Sequence, residues 1–301
     1  MKKIPVVLFA VALLGFVAYQ LHAQSTPKGF LVTPSNFELS ITQGQTVTKT
    51  VRFINQSTND TSVTVDTRNF TAQGEEGSIN LTEDDTTYSL AKWITVTPPE
   101  FSVPAGKTKE VTFTLTVPEN AEAGGHFGSL IFSTGGKTNP NDSGAAVAQE
   151  IASLILVKVP GDVVEDASVE SFKTNSMFYE FGPVEFSTRV KNNGGVHIKP
   201  TGDILITDMF GHKMTVPFNG SNVLPGAGRH MTTNWDSHFL IGKYTAEMIT
   251  AYGAENKNLY ATTEFYAFPV RYGLVGLAII ALLFLFRKRL GKSIKVLISG
   301  K

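Results

Sequence analysis

The sequence predicts an all-β protein: two β-sandwiches in tandem, followed by one C-terminal transmembrane helix. Three observations carry this expectation. Short runs with period-two alternation recur through most of the chain, separated by Gly, Pro and Asn. Such alternation places apolar side chains on one face of a strand. No stretch between residues 30 and 160 has the three-to-four-residue periodicity of an amphipathic helix. Near the C-terminal end, Tyr272–Phe286 reads YGLVGLAIIALLFLF without a charge, and Arg287, Lys288 and Arg289 follow at once.

Residues 1–23 read as a secretory signal. MKK is followed by an apolar run from Ile4 to Ala18 and then by YQLHA, with Ala23 suited to the last position before cleavage. An uncleaved anchor helix is the alternative, and either carries the following chain across a membrane.

Residues 24–160 form the first expected sandwich. In Thr46–Asn55, Val47, Val51 and Phe53 share one face, and Thr48, Thr50 and Arg52 the other. Val63 and Val65 alternate with Thr64 and Asp66. The clearest strand is Glu110–Val117, where Val111, Phe113, Leu115 and Val117 alternate with Thr112, Thr114 and Thr116. Phe127–Ser133 and Ala146–Val159 follow; the second is more continuously apolar, as a deeply buried strand would be. Strands of this length and spacing indicate the immunoglobulin type of sandwich. Asn69–Ala91 reads as a long acidic loop holding Glu75, Glu76, Glu83, Asp84 and Asp85. It lacks the D-x-D-x-D-G spacing of a calcium loop and is therefore expected to be solvated. Gly135–Gly144 (GGKTNPNDSG) has the composition of a flexible hairpin tip.

Pro160 and Gly161, followed by Asp162, Glu165 and Asp166, mark an exposed hinge, with residues 161–167 as linker. Residues 168–268 form the second expected immunoglobulin-like sandwich. Val184, Phe186, Thr188 and Val190 alternate with Glu185, Ser187, Arg189 and Lys191 before a turn at Asn192–Gly195. Phe210-Gly211-His212 and Leu224-Pro225-Gly226 mark further turns, Gly242–Tyr252 another strand, and Leu259–Phe268 a last strand running up to the apolar segment.

Residues 269–286 are the expected transmembrane helix and residues 287–301 a basic tail. Tyr272–Phe286 would span about 22 Å as a helix, and about 28 Å when counted from Phe268, close to the bilayer's hydrocarbon thickness. Arg271 lies near one end, where its guanidinium can snorkel to the interface. Tyr266, Phe268 and Tyr272 supply an aromatic belt, while Arg287, Lys288 and Arg289, with Lys292, Lys295 and Lys301, form a one-signed flank. The positive-inside bias then gives type I topology in the plasma membrane, with the ectodomain outside and the tail in the cytoplasm. Gly273 and Gly276 are three apart, so the G-x-x-x-G dimer spacing is missing.

The net charge of zero hides an asymmetry. Between Gln24 and Val270 there are 17 basic and 26 acidic residues, a net of −9. An acidic ectodomain argues against nucleic acid as a partner. The absence of cysteine excludes disulfides, cysteine-based zinc sites and a cysteine nucleophile. It also points to a bacterial surface protein, since animal ectodomains of this size usually carry disulfides. No G-x-S-x-G, H-E-x-x-H, Walker A or strand–G-x-G-x-x-G–helix pattern occurs. The six histidines (His22, His126, His197, His212, His230 and His238) have no paired ligand spacing. No catalytic residue, metal site or cofactor is therefore expected. Trp93 and Trp235 read as core or partly buried residues, with carbohydrate stacking as the alternative. The sequons at Asn55, Asn59, Asn69, Asn80, Asn141 and Asn219 read as chance matches in polar turns.

Ser89–Phe132 reads SLAKWITVTPPEFSVPAGKTKEVTFTLTVPENAEAGGHFGSLIF. It is similar to the N-terminal domain of the Gram-positive proteins that bind WxL cell-surface proteins. The shared elements are Trp93, Pro98, the Pro104–Gly106 turn, the strand Val111–Val117, Pro118, Gly124 and Gly128. The layout of signal, two immunoglobulin-like domains, one span and a basic tail also resembles that family. The resemblance implies a first domain associated with peptidoglycan and a second associated with a host or partner protein. The second domain here does not share the pattern, so no protein partner is assigned.

The expected function is that of a non-enzymatic, membrane-anchored surface protein for adhesion or scaffolding. Its ectodomain would engage peptidoglycan or another surface protein through strand edges and loops. The alternative is a chaperone-like assembly factor that donates a strand edge to secreted clients.

Overall fold

The structure, a computed structural model, describes residues 29–135 and 149–299. The expected signal at residues 1–23, nearly all of the Gly135–Gly144 tip, Asn141 and Lys301 lie outside these residues. The described chain is mostly β, with one long apolar helix at its C-terminal end. It divides into two compact units. The described part of the first runs to Phe70 and takes in Leu81–Glu122 and His126–Pro160; the second holds Thr71–Asn80, Ala123–Gly125 and everything from Gly161 on.

Between residues 30 and 159 the strands are β1 (Phe30–Thr33), β2 (Asn36–Ser40), β3 (Thr46–Asn55), β4 (Thr61–Gln73) and β5 (Ser78–Thr82). They continue with β6 (Ile94–Thr97), β7 (Glu100–Val103), β8 (Thr108–Thr116), β9 (Gly124–Thr134) and β10 (Gln149–Val159). One sheet has the order β1-β3-β8-β6, the other β2-β10-β9-β4-β5 with β7 also on β4. Pro34 and Ser35 separate β1 from β2, and the chain changes sheet there. β1 pairs antiparallel with β3, whereas β2 pairs parallel with β10.

The period-two pattern accounts for the core of this unit. Val51, Phe53, Val111, Phe113, Leu115 and Val117 have no exposed surface, and they meet Val63, Leu130, Phe132 and Ile155 of the opposite sheet in one cluster. Phe53 sits centrally, 5.5 Å from the Phe30 ring, 6.2 Å from Phe101 and 5.8 Å from Phe132. Burying each such ring contributes roughly 1.5–3 kcal/mol of transfer free energy.

The stretch Asn69–Ala91 differs from expectation. β4 continues to Gln73 and β5 returns over Ser78–Thr82, so much of the expected loop is a hairpin. Gly74 and Gly77 have positive φ at its turn, which a Cβ would oppose. The acidic residues do not converge. Glu75, which clusters with the second unit, accepts from Arg189 Nε at 2.7 Å, and Asp85 pairs with Lys92. No group of three or more potential ligands for a metal occurs among the described residues.

The second unit holds β11 (Ala167–Thr174), β12 (Phe178–Tyr179), β13 (Val184–Asn192) and β14 (Thr201–Asp208). β15 (Lys213–Asn219), β16 (Gly228–Trp235), β17 (Gly242–Tyr252) and β18 (Lys257–Ala267) complete it. One sheet has the order β11-β13-β16 and the other β12-β18-β17-β14-β15. Along β13 buried and half-buried residues alternate strictly. Val184, Phe186 and Val190 join Ile204, Ile206, Met248 and Phe265 of the other sheet in a second core.

Asn55 at the end of β3 and Asn192 at the end of β13 solve the same problem. Each is fully buried, and its Nδ2 donates to backbone carbonyls: Asn59 at 2.8 Å and Val103 at 3.0 Å for the first, Val196 and Val223 at 2.8 Å for the second. Each therefore supplies donors to loop carbonyls that would otherwise be buried unpaired.

Helix α1 spans Val270–Ser299. Its segment Val270–Arg287 is 18 residues, none of it buried, and is long and apolar enough to cross a membrane. The Glu180 carboxylate accepts the Arg271 N–H at 2.8 Å and lies 3.3 Å from the Arg271 guanidinium, a favourable place for an acid at a helix N-terminus. The helix continues past Phe286 through the basic stretch. Lys and Arg are good helix formers, so the charges mark where apolar character ends, not where the helix ends.

Candidate functional site

A concavity with an aromatic wall lies on the first unit. It has a volume of about 310 Å³ and is lined by the 85–93 segment and by residues 118–126. That volume is at the lower end of about 300–1,000 Å³ for small-molecule sites. Two other depressions, around Asp208 and around Arg52, have no aromatic lining residue.

Asn69 on β4 builds one wall. Its Oδ1 accepts from the Leu90 N–H at 2.9 Å and the Ala91 N–H at 2.8 Å, while its Nδ2 donates to the Asp84 carbonyl at 3.1 Å. These bonds fasten both ends of the 84–91 segment and start the single 3₁₀ turn Ala91–Trp93. On β9, a Cβ at Gly128 would lie 3.0 Å from the Leu90 Cβ and 3.3 Å from the Ala91 nitrogen. Glycine lets the segment lie against the strand, where Phe127 N–H donates to the Tyr88 carbonyl at 2.7 Å. Leu90 fills the core beneath, fully buried.

The second wall is His126, at the start of β9 and buried. Its Nε2 lies 2.9 Å from the Glu122 carbonyl and its Nδ1 3.3 Å from the Ser89 carbonyl. A neutral imidazole can donate to only one of the two. The Trp93 indole packs against this ring, with centroids 4.4 Å apart and planes at 45°. Trp93 is half-buried, so part of the indole borders the cavity. Around it stand the Asp85–Lys92 pair, the hydroxyls of Thr86, Thr87 and Ser89, and the Asn120 amide. An apolar ring fringed by hydroxyl, amide and charged groups suits a ligand with an apolar C–H face and hydroxyls at its edge, as a sugar has.

Trp235 takes the other role expected of a tryptophan. It packs at 5.6 Å from Tyr244 and 6.3 Å from Phe265, against the second core. The sequence singles out Trp93 but gives no sign of Asn69 or His126 as its supports, because their partners are carbonyls and N–H groups far along the chain.

The residues expected to anchor the chain gather at two places. Tyr266 stacks on Phe178 at 5.7 Å, Phe268 is exposed, Arg271 meets Glu180, and Tyr272 meets Phe181 edge-on at 5.6 Å. Arg287 lies 4.3 Å over the Phe284 ring, and Lys288 and Arg289 follow it on α1.

The fold and the helix thus define a β-rich protein with one segment able to cross a membrane by length and composition. Residues 27–134 match a family described as WxL Interacting Protein, peptidoglycan binding domain. The match contains the Ser89–Phe132 resemblance and every lining residue of the Trp93 cavity. No curated protein matches the chain at a significant level. Among solved structures, the class 5 fimbriae chaperone CfaA is 16% identical with a TM-score of 0.39, covering 79% of this chain and 99% of its own. The E. coli chaperone DraB is 11% identical with a TM-score of 0.35, covering 79% of this chain and 95% of its own. The Pseudomonas aeruginosa CupB2 chaperone is 10% identical with a TM-score of 0.35, covering 79% of this chain and all of its own.

Proposed function

We propose that this chain is a non-enzymatic, membrane-anchored cell-surface protein that holds peptidoglycan through the Trp93–His126 cavity. Its organisation would be a signal at 1–23, immunoglobulin-like sandwiches at 24–160 and 168–268 joined by a linker at 161–167, a span at 269–286 and a basic cytoplasmic tail at 287–301. The observation that carries the reading is one coincidence. The cavity edged by a half-buried indole falls wholly inside the segment that matches a peptidoglycan-binding family. Two further features support the sandwiches: each pair of sheets shares one core, and each unit closes a strand end with a buried asparagine.

Tryptophan stacks on the C–H face of a glycan ring, and the polar fringe bonds to its hydroxyls and amides. The role is retention, with no bond made or broken. Cosedimentation of the purified protein with isolated cell-wall sacculi tests this. Binding is expected for the native chain and a loss of about tenfold or more, roughly 1.4 kcal/mol, for Trp93→Ala. Equal binding by both would remove the cavity from the mechanism. Rescue of an aggregating secreted client, without any sacculus binding, would favour the strand-donating alternative.

A further inference from the structure

The β12-β18-β17-β14-β15 sheet has two unlike ends. At one end lie Gly253, Glu255, Asn256 and Lys257 on the β17–β18 turn, with Asn219, Gly220 and Ser221 after β15. At the other, four separate segments expose large apolar side chains: Met177 (64%) and Phe178 (73%), Met209 (58%) and Phe210 (66%), Phe239 (63%), and Phe268 (58%). The strand register brings these segments together. Phe178 pairs with Tyr266, Gly242 with Ala267, and Asp208 with Tyr244. Met209 packs so close to Gly242 that a Cβ there would meet its sulfur at 2.1 Å.

Helix α1 leaves from this same end with Phe268 and Pro269 as its only spacer. The junction is tied down: Phe268 N–H donates to the Tyr179 carbonyl at 2.9 Å, and Arg271 N–H to Glu180 at 2.8 Å. Charges near the rim are largely paired, as Asp208 with His212, Glu180 with Arg271 and Lys243 with Glu264. Asp236 and His238 flank Phe239, which suits the headgroup level and not the hydrocarbon.

We propose that this apolar rim is a lipid-docking surface: Met177, Phe178, Met209, Phe210, Phe239 and Phe268 seat in the interfacial layer of the bilayer that α1 crosses. The proposal rests on the reading of α1 as a span. It goes beyond that reading, because four of the six side chains belong to loops far from the helix in sequence. The occupant is lipid because the patch is continuous with the helix start, and an interfacial helix or loop buries apolar groups about 5–10 Å deep.

The chain has no cysteine, so single-cysteine variants place a fluorophore without background. Phe178→Cys, Phe210→Cys and Phe239→Cys test the rim. Leu277→Cys tests the span. Tyr260→Cys is the control, exposed on β18 but about 20 Å from Tyr266 along the strand. All are exposed positions, and in a Trp93→Phe background Trp235 fluorescence reports, before labelling, whether the second unit remains folded. Each full-length variant is placed in nanodiscs of phosphatidylcholine and phosphatidylglycerol with brominated or plain acyl chains. Quenching by bromine is expected at 277 and, at roughly half that strength or more, at 178, 210 and 239, with none at 260. Quenching at 277 with rim labels behaving like 260 overturns the docking while leaving the span intact. No quenching anywhere overturns the span and the docking with it. Rim labels shielded from iodide yet untouched by brominated lipid would assign the surface to protein and overturn the proposal.

Discussion

The Trp93 indole lies against the buried His126 imidazole, ring centroids 4.4 Å apart and planes inclined at 45°. The histidine is buried between the Glu122 and Ser89 carbonyls and donates to one of them, so it forms a fixed backing for the indole. This geometry separates the two residues experimentally. His126→Phe keeps an aromatic backing but gives up both carbonyl contacts. Wall binding is expected to fall less than in Trp93→Ala, where the stacking face itself is lost. Sacculus cosedimentation over a protein titration compares the two.

Asn69 should matter to both stability and binding. It is buried, and its amide makes three bonds to the backbone of the 84–91 segment. Asn69→Ala leaves buried N–H and C=O groups unpaired and is expected to cost about 1–3 kcal/mol. Asn69→Asp keeps the acceptor for Leu90 and Ala91 but sets an acceptor-only oxygen against the Asp84 carbonyl, where Asn69 donates. Its binding should lie between that of the native chain and that of Asn69→Ala.

Each unit contains one of the chain's two tryptophans, so the units can be followed apart. Phe53→Ala removes a fully buried ring with three aromatic neighbours and is expected to cost about 3–5 kcal/mol. In a Trp235→Phe background, urea unfolding followed by Trp93 fluorescence should register that loss. In a Trp93→Phe background, the Trp235 transition should stay where it was.

A pH dependence is expected at the Asp208 turn. Burial pushes the Asp208 carboxyl up, but bonds from the His212 side chain and from the N–H groups of His212 and Phe210 outweigh it and hold it below the usual range. A carboxylate lowered in the folded state adds stability in full above its unfolded pKa, about 3.9. That stability is lost as pH falls through the lower folded value. The native chain should therefore exceed Asp208→Asn in second-unit stability at pH 6. The gap should close as the solution is acidified towards pH 2, read as urea midpoints of Trp235 fluorescence in the Trp93→Phe background.

The strands legible in the sequence are those with one apolar and one polar face. Thr46–Asn55 and Gly242–Tyr252 have the expected bounds, and Val111, Phe113, Leu115 and Val117 are all fully buried. β5 was illegible because Ser78–Thr82 carries few apolar residues and stands at a sheet edge, so no face is fixed by burial. The extension of α1 to Ser299 was hidden for a different reason: charge ends an apolar run without ending a helix. At the cavity, the half-buried state of Trp93 is the partly buried reading the sequence offered, and Trp93 could be singled out from the resemblance. Its supports could not, since the Asn69–Leu90 and His126–Ser89 contacts depend on how distant segments pack.

The parallel pairing of β2 with β10 has a consequence for how the chain is made and cut. Asn36 pairs with Leu154, and β10 also lies beside β9. The second sheet of the first unit therefore cannot close until residue 159 has been synthesised, a long-range closure of the kind that slows folding. A fragment ended at residue 134, where the family match stops, would lack β10 altogether. It would leave β9 with an open backbone edge and β2 with no neighbour. Such an edge recruits strands from other molecules, so that fragment should aggregate where one running through Val159 stays monodisperse.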